Sequence, residues 1–350
     1  MTSAPCAARR LPAEWEAQSG VQITWPHAGT DWGPRLDTVE PVFAAISAAI
    51  TRHESLLVIC QNADHRNHVL AQLARSGASL ERVQVGIAPA DDTWARDHGP
   101  ITVFRDGQPL LLDFVFNGWG GKFPADHDNL LTQHLAAQGC FGSVPVDSVD
   151  LVLEGGSIES DGIGTVLTTS HCLLTPTRNP GLSRTAIERH LHRHLGAQRV
   201  LWLEHGQLEG DDTDGHIDTL ARFCDPLTIA HVDCQDPADP QYPGLARMVE
   251  ELGTFQTAQG TPYSLVPLPL PAAIFADGQR LPATYANFLV LNEAVLVPVY
   301  GDPADAVALE RLGAAFPGRR VTGIDCRELI RQGGSLHCLT MQFPTGVLAQ

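Results

Sequence analysis

Residues 332–338 read Gln332-Gly333-Gly334-Ser335-Leu336-His337-Cys338, which places a cysteine shortly after a double glycine. A second stretch of the same type, Glu154-Gly155-Gly156-Ser157-Ile158-Glu159, lies far upstream. Glycine has no Cβ and lets the backbone approach a small ligand closely. A thiol held after such a bend can act as a nucleophile. The repetition predicts a repeated architecture in which equivalent loops face one centre.

The chain shows a repeating order of hairpin, helix and strand, with a period of about sixty residues. Turn pairs such as Asp106-Gly107 and Asp161-Gly162 separate the hairpin strands. Helices are predicted where apolar residues recur at helical spacing, over residues 39–50, 64–75 (with Asp64 as the N-cap), 126–138, 183–195, 245–255 and 304–316. Strands are predicted over 56–60, 83–87, 101–104, 110–116, 149–153, 157–174 (a hairpin), 200–203, 217–223, 228–232, 263–266, 286–299 (with a break at 292–293) and 320–324.

About five such units are present, and residues 335–342 remain as a last strand that can complete the first unit. We therefore predict a mixed α/β fold of five hairpin-helix-strand units in a closed ring, which removes the open sheet edge. The alternative is an ordinary α/β sheet with alternating elements. Hairpins rather than single strands alternate with the helices, and this favours the ring. The sequence contains no linker, so residues 1–350 are interpreted as one domain whose last strand carries Cys338.

The composition limits the classes of partner. The chain has 40 acidic and 23 basic residues, and its formal net charge is −17. Binding to nucleic acid or to an anionic membrane surface requires clustered positive charge, so neither is expected. A small cationic substrate is compatible with this charge, because acidic walls raise the local concentration of a cation. An acidic surface that only maintains solubility is the alternative.

The eight cysteines are scattered and form no C-x-x-C pair. A chain of this length does not depend on disulfides, so we expect mostly free thiols in a reducing compartment. Residues 1–10 have no apolar segment of the kind found in secretory signals, and no apolar run reaches the roughly 20 residues that span a bilayer. These features predict a cytoplasmic protein.

Polar residues cluster at the start of each hairpin, in residues 91–100, 154–156, 209–218 and 332–338. Strands alternate the direction of their side chains, so His216 and Asp218 are expected to point the same way if residues 217–223 form a strand. If the units surround one axis, five side chains converge near it: Asp97, Glu154, His216, Asp218 and Cys338.

This set of residue types has a definite chemical meaning. Paired carboxylates bind a planar cation, and the guanidinium group fits this geometry best. A cysteine beside a histidine can attack the electrophilic carbon of that group while the histidine moves protons. The residues therefore predict a hydrolase that acts on a guanidine or an amidine.

Other interpretations of the same residues remain open at this point. A lone cysteine in an apolar run is more often a buried small hydrophobe, and His216 alone is more often structural. A His-x-Asp pair with further acidic residues can also bind a divalent ion. The chain lacks an H-E-x-x-H motif, and a metal site leaves the thiol unexplained. Neither a phosphate-binding loop nor a G-x-S-x-G nucleophile elbow occurs.

Six segments together resemble one family, that of the agmatine deiminases, or Porphyromonas-type peptidylarginine deiminases. They occur in the family's order and extend over nearly the whole chain: Glu14-Trp15-Glu16 with Thr24-Trp25-Pro26, Asp92 to Pro100, Phe116-Asn117-Gly118-Trp119-Gly120-Gly121-Lys122, Glu154-Gly155-Gly156, Asp214-Gly215-His216-Ile217-Asp218 and Gly333 to Cys338. Each segment alone is a weak signal, whereas the set is specific.

The resemblance implies the pentein fold, a five-bladed α/β propeller with approximate fivefold symmetry. It implies that Cys338 is the nucleophile, which forms a covalent amidino-thioester, and that His216 is the general acid/base. Asp97 and Asp218 match the carboxylates that hold the guanidinium. The implied reaction converts agmatine and water to N-carbamoylputrescine and ammonia without metal or organic cofactor. Glu154, Trp94 and Trp119 match positions that line or support the pocket.

The segment Asp211-Asp212-Thr213-Asp214-Gly215-His216 departs from the family members best known for agmatine, which resemble Asp-Glu-Thr-Asn-Gly-His there. Here the second residue is Asp212, one methylene shorter than glutamate, which affects recognition of the far end of the substrate. Free or peptidyl arginine is the alternative substrate, with Arg96 and Lys122 as candidate partners of its carboxylate. A non-catalytic guanidine- or polyamine-binding protein is the alternative of another class. The sequence does not set the oligomeric state, and a homodimer is compatible with it.

Overall fold

The computed structural model describes residues 9–349, and within them five sheets of three or four strands alternate with helices. A separate two-stranded hairpin joins Phe275–Ala276 to Gln279–Arg280. The mixed α/β prediction is confirmed.

Four of the five sheets have the same construction. A hairpin is followed by a helix and then by a strand that pairs in parallel with the second hairpin strand, as predicted. Each of these units consists, in chain order, of its two hairpin strands, its helix and its last strand. The first of the four is Ile101–Arg105, Gln108–Val115, Leu131–Ala137 and Val146–Val152, and the second is Ile158–Ser160, Thr165–Thr169, Arg184–Leu195 and Arg199–Leu203. The third is Ala221–Asp225, Thr228–Asp233, Tyr242–Leu252 and Ser264–Pro269, and the fourth is Leu289–Val290, Ala294–Val299, Ala304–Ala315 and Arg320–Asp325.

The remaining sheet joins the two ends of the chain. Its last strand, Thr340–Pro344, pairs antiparallel with Gln18–Thr24, so the C-terminal strand completes the first unit as predicted. This unit also contains an additional helix and strand. Its other elements are Leu36–Ile50, Ser55–Cys60, Ala63–Ser76 and Val83–Ile87.

Short elements connect the five units. A two-residue strand, Arg9–Arg10, extends the sheet that contains Ile101–Arg105. In the part of the chain that the structure describes, no helix is both long and apolar enough to cross a membrane. The short helices are Ala95–His98, Gly118–Gly121 and Ser170–Leu173, and the 3-10 segments are Gly33–Arg35, Leu80–Arg82, Asp128–Leu130, Gly155–Ser157, Ile217–Thr219 and Leu329–Gln332.

The core forms where the helices cover the sheets. The first helix illustrates this, since its residues Phe43, Ile46, Ala49 and Ile50 are buried at the predicted helical spacing. Seven of the eight cysteines are buried free thiols, which agrees with the prediction for them. Cys6 and most of the N-terminal stretch interpreted as lacking a signal, residues 1–8, lie outside the described residues.

Two predicted strands that concern the site were wrong. Residues 217–219 form a 3-10 turn, and the strand starts only at Ala221. Local hydrogen bonds from side chains replace the strand pairing there, because the His216 N–H donates to Thr213 Oγ1 and the Thr219 hydroxyl donates to the His216 carbonyl. The alternation argument for His216 and Asp218 therefore does not apply.

The second error concerns Cys338, which was placed in the closing strand. That strand begins at Thr340, and Cys338 lies in the turn before it. The reason is that the N–H groups of His337 and Cys338 donate to the side-chain oxygen of Asn287, at 2.8 and 3.3 Å, instead of to a neighbouring strand.

Some helix boundaries also differ from the prediction. The second long helix begins at Ala63, and its N-cap is Asn62 rather than Asp64, because Asn62 Oδ1 accepts the His65 N–H at 2.9 Å. The predicted helix over 126–138 starts as a 3-10 turn, and the one over 245–255 starts three residues earlier.

Candidate active site

Of the five side chains that the sequence argument placed at one centre, the structure brings four into one cluster: Asp97, His216, Asp218 and Cys338. His216 Nδ1 lies 3.6 Å from Asp97 Oδ1, and Cys338 Sγ lies 3.7 Å from Asp218 Oδ2. Each comes from a short turn or helix between longer elements, and all four are buried. Fold contacts between distant segments thus bring two carboxylates, an imidazole and a thiol into one cluster.

Asp97 and Cys338 line a cavity of about 410 Å³. His216 and Asp218 are completely buried beside them. The size of the cavity suits a small organic ligand. Its other polar lining residues include Asp31, Asp92, Asp212, Arg280 and Arg331, and its aromatic lining residues include Trp94 and Trp119.

Two glycines of the double-glycine segments allow this close packing. A Cβ at Gly156 would stand 2.6 Å from His216 Nδ1 and 2.8 Å from Asp97 Oδ1. A Cβ at Gly334 would stand 2.3 Å from the ring of Trp94. The glycines therefore make room for site side chains, whereas the sequence argument had assigned the space to a ligand.

Asp97 is held by two donors. The Gly156 N–H donates to Oδ1 at 3.0 Å, and the Trp119 indole N–H donates to Oδ2 at 2.9 Å. Burial raises the pKa of Asp97 to about 6, against the attraction of His216. Burial alone would lower the pKa of His216. The neighbouring Asp97 and Cys172 have the larger opposite effect, so the pKa of His216 lies well above its usual value. An imidazolium beside a carboxylate is the resulting state at neutral pH.

The thiol has an acidic environment. Burial and then the charges of Asp218 and Asp97 raise the pKa of Cys338 well above its usual value. The Asn287 amide N–H donates to Sγ at 3.2 Å. Burial opposes ionisation of Asp218, yet a hydrogen bond from His337 lowers the pKa of this carboxyl below its usual value. With no cation in the site, Cys338 is therefore a protonated thiol between carboxylates.

Glu154 lies behind His216 and does not line the cavity. It forms a fully buried ion pair with Arg178, whose Nε donates to both carboxylate oxygens at 2.8 and 3.0 Å. Among the described residues, Glu154, Cys172 and His216 offer possible metal ligands within 4.8 Å of one another. The guanidinium of Arg178 already occupies the carboxylate, and its positive charge opposes a cation there.

The remaining predicted binding residues lie around the cavity. Trp94 donates its indole N–H to Asp92 Oδ2 at 3.1 Å, and Trp119 holds Asp97 as described above. Asp212 lies at the wall of the cavity. Burial and then the neighbouring Asp211 raise the pKa of Asp212 to about 6. The cavity therefore has an acidic wall separate from the buried Asp97 and Asp218.

Sequence reasoning missed three polar residues of the site: Asn287, His337 and Arg178. Asn287 contacts the thiol, Asp218 and the backbone of His337, and it lies in an apolar run that was interpreted only as a strand. A polar residue isolated in such a run was an available signal. His337 stands in the opening segment, but its partner Glu14 is 323 residues away.

Taken with these contacts, comparison with known proteins identifies the family. The model of the Porphyromonas-type peptidyl-arginine deiminases matches residues 10–344. The chain belongs to this family, as the resemblance of its motifs indicated.

Particular relatives extend over the whole chain. A Marinomonas protein named "Putative agmatine deiminase" is 34% identical, with 96% of this chain and 94% of that protein covered. A Porphyromonas gingivalis structure described as a "Putative Arginine Deiminase" is 52% identical, with a TM-score of 0.92 and coverage of 97% and 100%. A C. jejuni agmatine deiminase with substrate bound is 35% identical, with a TM-score of 0.91 and coverage of 99% of both chains.

Proposed function

We propose that this protein hydrolyses the guanidinium group of agmatine, producing N-carbamoylputrescine and ammonia. The observation that carries the proposal is the buried pair of carboxylates, Asp97 and Asp218, beside the thiol of Cys338 at the end of a cavity. Two buried carboxylates beside the single imidazolium of His216 leave negative charge uncompensated, so this arrangement favours a cationic ligand. The names of the relatives, agmatine deiminase and arginine deiminase, support a guanidine.

The carboxylates hold the guanidinium by charge-assisted hydrogen bonds. Asp218 Oδ1 is buried and has no hydrogen-bond partner in residues 9–349, whereas Oδ2 accepts from His337 and Asn287. A planar N–H donor satisfies this free oxygen. Asp97 provides the second carboxylate, fixed by Gly156 and Trp119.

The binding of the cation also prepares the nucleophile. Because Asp97 and Asp218 raise the pKa of the thiol, a guanidinium that neutralises them lowers it again and favours the thiolate of Cys338. The thiolate attacks the guanidinium carbon and forms a tetrahedral adduct. His216, protonated in the resting site, gives its proton to the leaving nitrogen of this adduct, so that ammonia departs and a covalent amidino-thioester remains on Cys338. His216 then takes a proton from water, which attacks the same carbon and releases the carbamoyl product and Cys338.

The far end of the cavity favours an amine over a carboxylate. Asp31, Asp92 and Asp212 contribute three carboxyl groups to its wall. Arg280 also lines it, but its guanidinium forms two hydrogen bonds with Asp239 at 2.8 and 2.7 Å. The aminobutyl tail of agmatine matches this acidic wall. We assign Asp212 to the substrate's amine, and Trp94 and Trp119 to the sides of the pocket.

Arginine is the second candidate substrate. Arg331 lines the cavity, and its side chain contacts Glu328 only at 3.5 Å, while Glu328 is already bound by Arg35 at 2.9 Å. A weakly paired guanidinium at this point can receive the carboxylate of arginine. The 52% identical P. gingivalis protein described as an arginine deiminase supports the same candidate.

We propose that the five sheets are the blades of one pentein propeller that extends over the whole chain. The pairing of Thr340–Pro344 with Gln18–Thr24 supports closure of the ring, because it joins the two ends of the chain in one sheet. Buried free thiols support a reducing, cytoplasmic location.

The test is incubation of the purified protein with agmatine, arginine and a peptidyl arginine, with assays for ammonia and the carbamoyl product. We expect turnover of agmatine with the highest efficiency. Mass spectrometry of protein quenched during turnover should show an amidino adduct on Cys338. Cys338→Ala should abolish both signals, whereas the control Cys234→Ala, which changes another buried thiol, should retain them.

Other results would select other functions. Efficient turnover of arginine alone would replace agmatine as the substrate. Calorimetric binding of agmatine without turnover would identify a binding protein. Activity that is lost with a strong chelator and restored by a divalent ion would identify a metal hydrolase and overturn the thiol mechanism.

A further inference from the structure

The N-terminal segment Glu14-Trp15-Glu16 carries a carboxylate that reaches the back of the site. Glu14 Oε1 lies 2.8 Å from His337 Nε2 and accepts a hydrogen bond from Arg96 at 3.0 Å. Its other oxygen accepts from Arg222. Glu14 does not line the substrate cavity, so any effect on the reaction must pass through these neighbours.

His337 connects Glu14 to the reacting groups. Its Nδ1 lies 2.7 Å from Asp218 Oδ2, and the ring is completely buried. A carboxylate can only accept a hydrogen bond, so Nδ1 is the donor toward Asp218. Arg222 also approaches Nε2, at 3.0 Å. The ring therefore has contacts at both nitrogens that prevent it from turning away from Asp218.

This contact determines which oxygen of Asp218 is available. Oδ2 accepts from His337 and, at 3.2 Å, from Asn287. Oδ1 is buried and has no partner among the residues that the structure describes. Rotation of the Asp218 carboxyl group would break the hydrogen bonds from His337 and Asn287. Oδ1 therefore stays directed away from these two donors.

We propose that Glu14 is a positioning residue for Asp218, which it orients through His337 so that one carboxylate oxygen stays free for the guanidinium. The inference rests on the proposed role of Asp218 in binding the substrate. It assigns a function to the N-terminal Glu-Trp-Glu segment, which the catalytic scheme leaves without one. A polar group on the far side of an imidazole is a common way to fix the direction of the ring.

The pH dependence provides a readout that a purely structural role would not change. Besides His337, Asp218 faces His216, Asp97 and Cys338 in the site, and Arg222 and Glu159 behind it. The hydrogen bond from His337 lowers the pKa of Asp218. Asp97, with a pKa of about 6, sets the first inflection of the acidic limb of the kcat/KM profile. Weakening the bond from His337 raises the pKa of Asp218, so the second and steeper part of this acidic limb must move to higher pH.

The first experiment compares Glu14→Gln with Glu16→Gln. Glu16 belongs to the same segment but pairs with Arg10 near the surface. For Glu14→Gln we expect kcat/KM for agmatine to fall roughly 10- to 100-fold, as for other groups that orient a ligating residue, and the acidic limb to move upward. Glu16→Gln should match the wild type. A folded Glu14→Gln protein with an unchanged profile would overturn the inference.

A double-mutant cycle tests whether Glu14 acts through His337. The amide of Asn at position 337 can still donate to Asp218 but does not reach Glu14. Glu14→Gln should therefore add little further loss to His337→Asn. The same loss in both backgrounds would refute the connection. If Glu14→Gln does not fold, the comparison of His337→Asn with His337→Leu tests the hydrogen bond to Asp218. Leucine cannot donate this bond, so only the leucine variant should show the full shift of the acidic limb. Equal shifts in the two variants would contradict the proposal.

A measurement without turnover separates this inference from the proposed function. In protein labelled with ¹⁵N-histidine, the proton on Nδ1 of His337 should give a downfield resonance that disappears in His337→Asn and shifts in Glu14→Gln. If the resonance responds but no guanidine is turned over, the proposed function fails while the contact stands. If agmatine is turned over but neither resonance nor profile responds to Glu14→Gln, only the inference fails.

Discussion

Gly156→Ala adds one methyl group at the point where the proposed acid/base meets a carboxylate. The new Cβ would stand 2.6 Å from His216 Nδ1, and ordinary contact begins at 3.4 Å. The imidazole must therefore retreat by about 0.8 Å, which is the difference between these distances. Asp97 Oδ1 must also move, because it would stand 2.8 Å from the same atom. The surroundings are buried, so the displacement cannot be absorbed by solvent.

The expected effect on catalysis follows from that displacement. A misplacement of about 1 Å at a catalytic group costs on the order of 10²-fold in rate, and this corresponds to about 2.7 kcal/mol of transition-state stabilisation. Gly156 does not have a positive φ, so alanine introduces no backbone strain there. The loss should appear in kcat/KM for agmatine, measured by ammonia release, with circular dichroism as a check of folding.

Gly244→Ala is the matched control. Gly244 lies in the helix Tyr242–Leu252, has no neighbour within 4 Å of an added Cβ and does not have a positive φ. Alanine should be neutral or slightly stabilising there. A folded Gly156→Ala protein that keeps its efficiency within threefold of the control would refute the assigned contact between His216 and Asp97.

Three further predictions concern single carboxyl groups. Asp97→Asn should lower kcat/KM for agmatine by about 10²- to 10³-fold. The substitution removes a negative charge and places an amide N–H group against the N–H donor of Trp119 or Gly156. Unchanged catalytic efficiency in steady-state assays would reject the role of Asp97. Asp212→Asn should raise KM for agmatine roughly tenfold, which corresponds to the loss of one charge-assisted hydrogen bond. KM for butylguanidine should not change, because this substrate lacks the amine. Equal effects on both substrates would show that Asp212 does not bind the amine. Glu54 is remote from the site, and burial in the folded protein raises its pKa from 4.5 to about 7. Its contribution to the stability of the folded state is therefore complete below pH 4.5 and is lost as the pH rises through 7. Glu54→Gln should therefore unfold like the wild type at pH 4.5 but be more stable at pH 8.5, by up to roughly 3 kcal/mol in denaturant titrations, and a less stable variant at pH 8.5 would contradict this.

Much of the architecture could be predicted from local patterns. Helical spacing located the helix that contains Phe43 and Ile46, and the Asp106-Gly107 pair located a hairpin turn between observed strands. The pairing of the last strand with the first unit was also predicted, because one strand remained after the repeats were counted. These features depend on neighbours in the sequence or on a count of complete units.

The site was predicted less completely, since its local geometry depends on distant partners. Cys338 was placed in a strand, but the backbone N–H groups of His337 and Cys338 donate to the side-chain oxygen of Asn287. The strand therefore begins only at Thr340, two residues after Cys338. Hydrogen bonds with Thr213 and Thr219 hold His216 at a 3-10 turn. In both places side-chain hydrogen bonds replaced the ladder bonds that alternation presupposes.

By itself, the sequence determined the chemical types of the site, through Asp97, His216, Asp218 and Cys338, and the repeated units that carry them. Only the tertiary structure decided how these groups are oriented and charged. It brings Glu14 to His337 across 323 residues, and it encloses the carboxylates so that burial and neighbouring charge change their pKa values. Motifs record which residues are present, whereas hydrogen-bond direction and electrostatics depend on distances that exist only after the chain has folded.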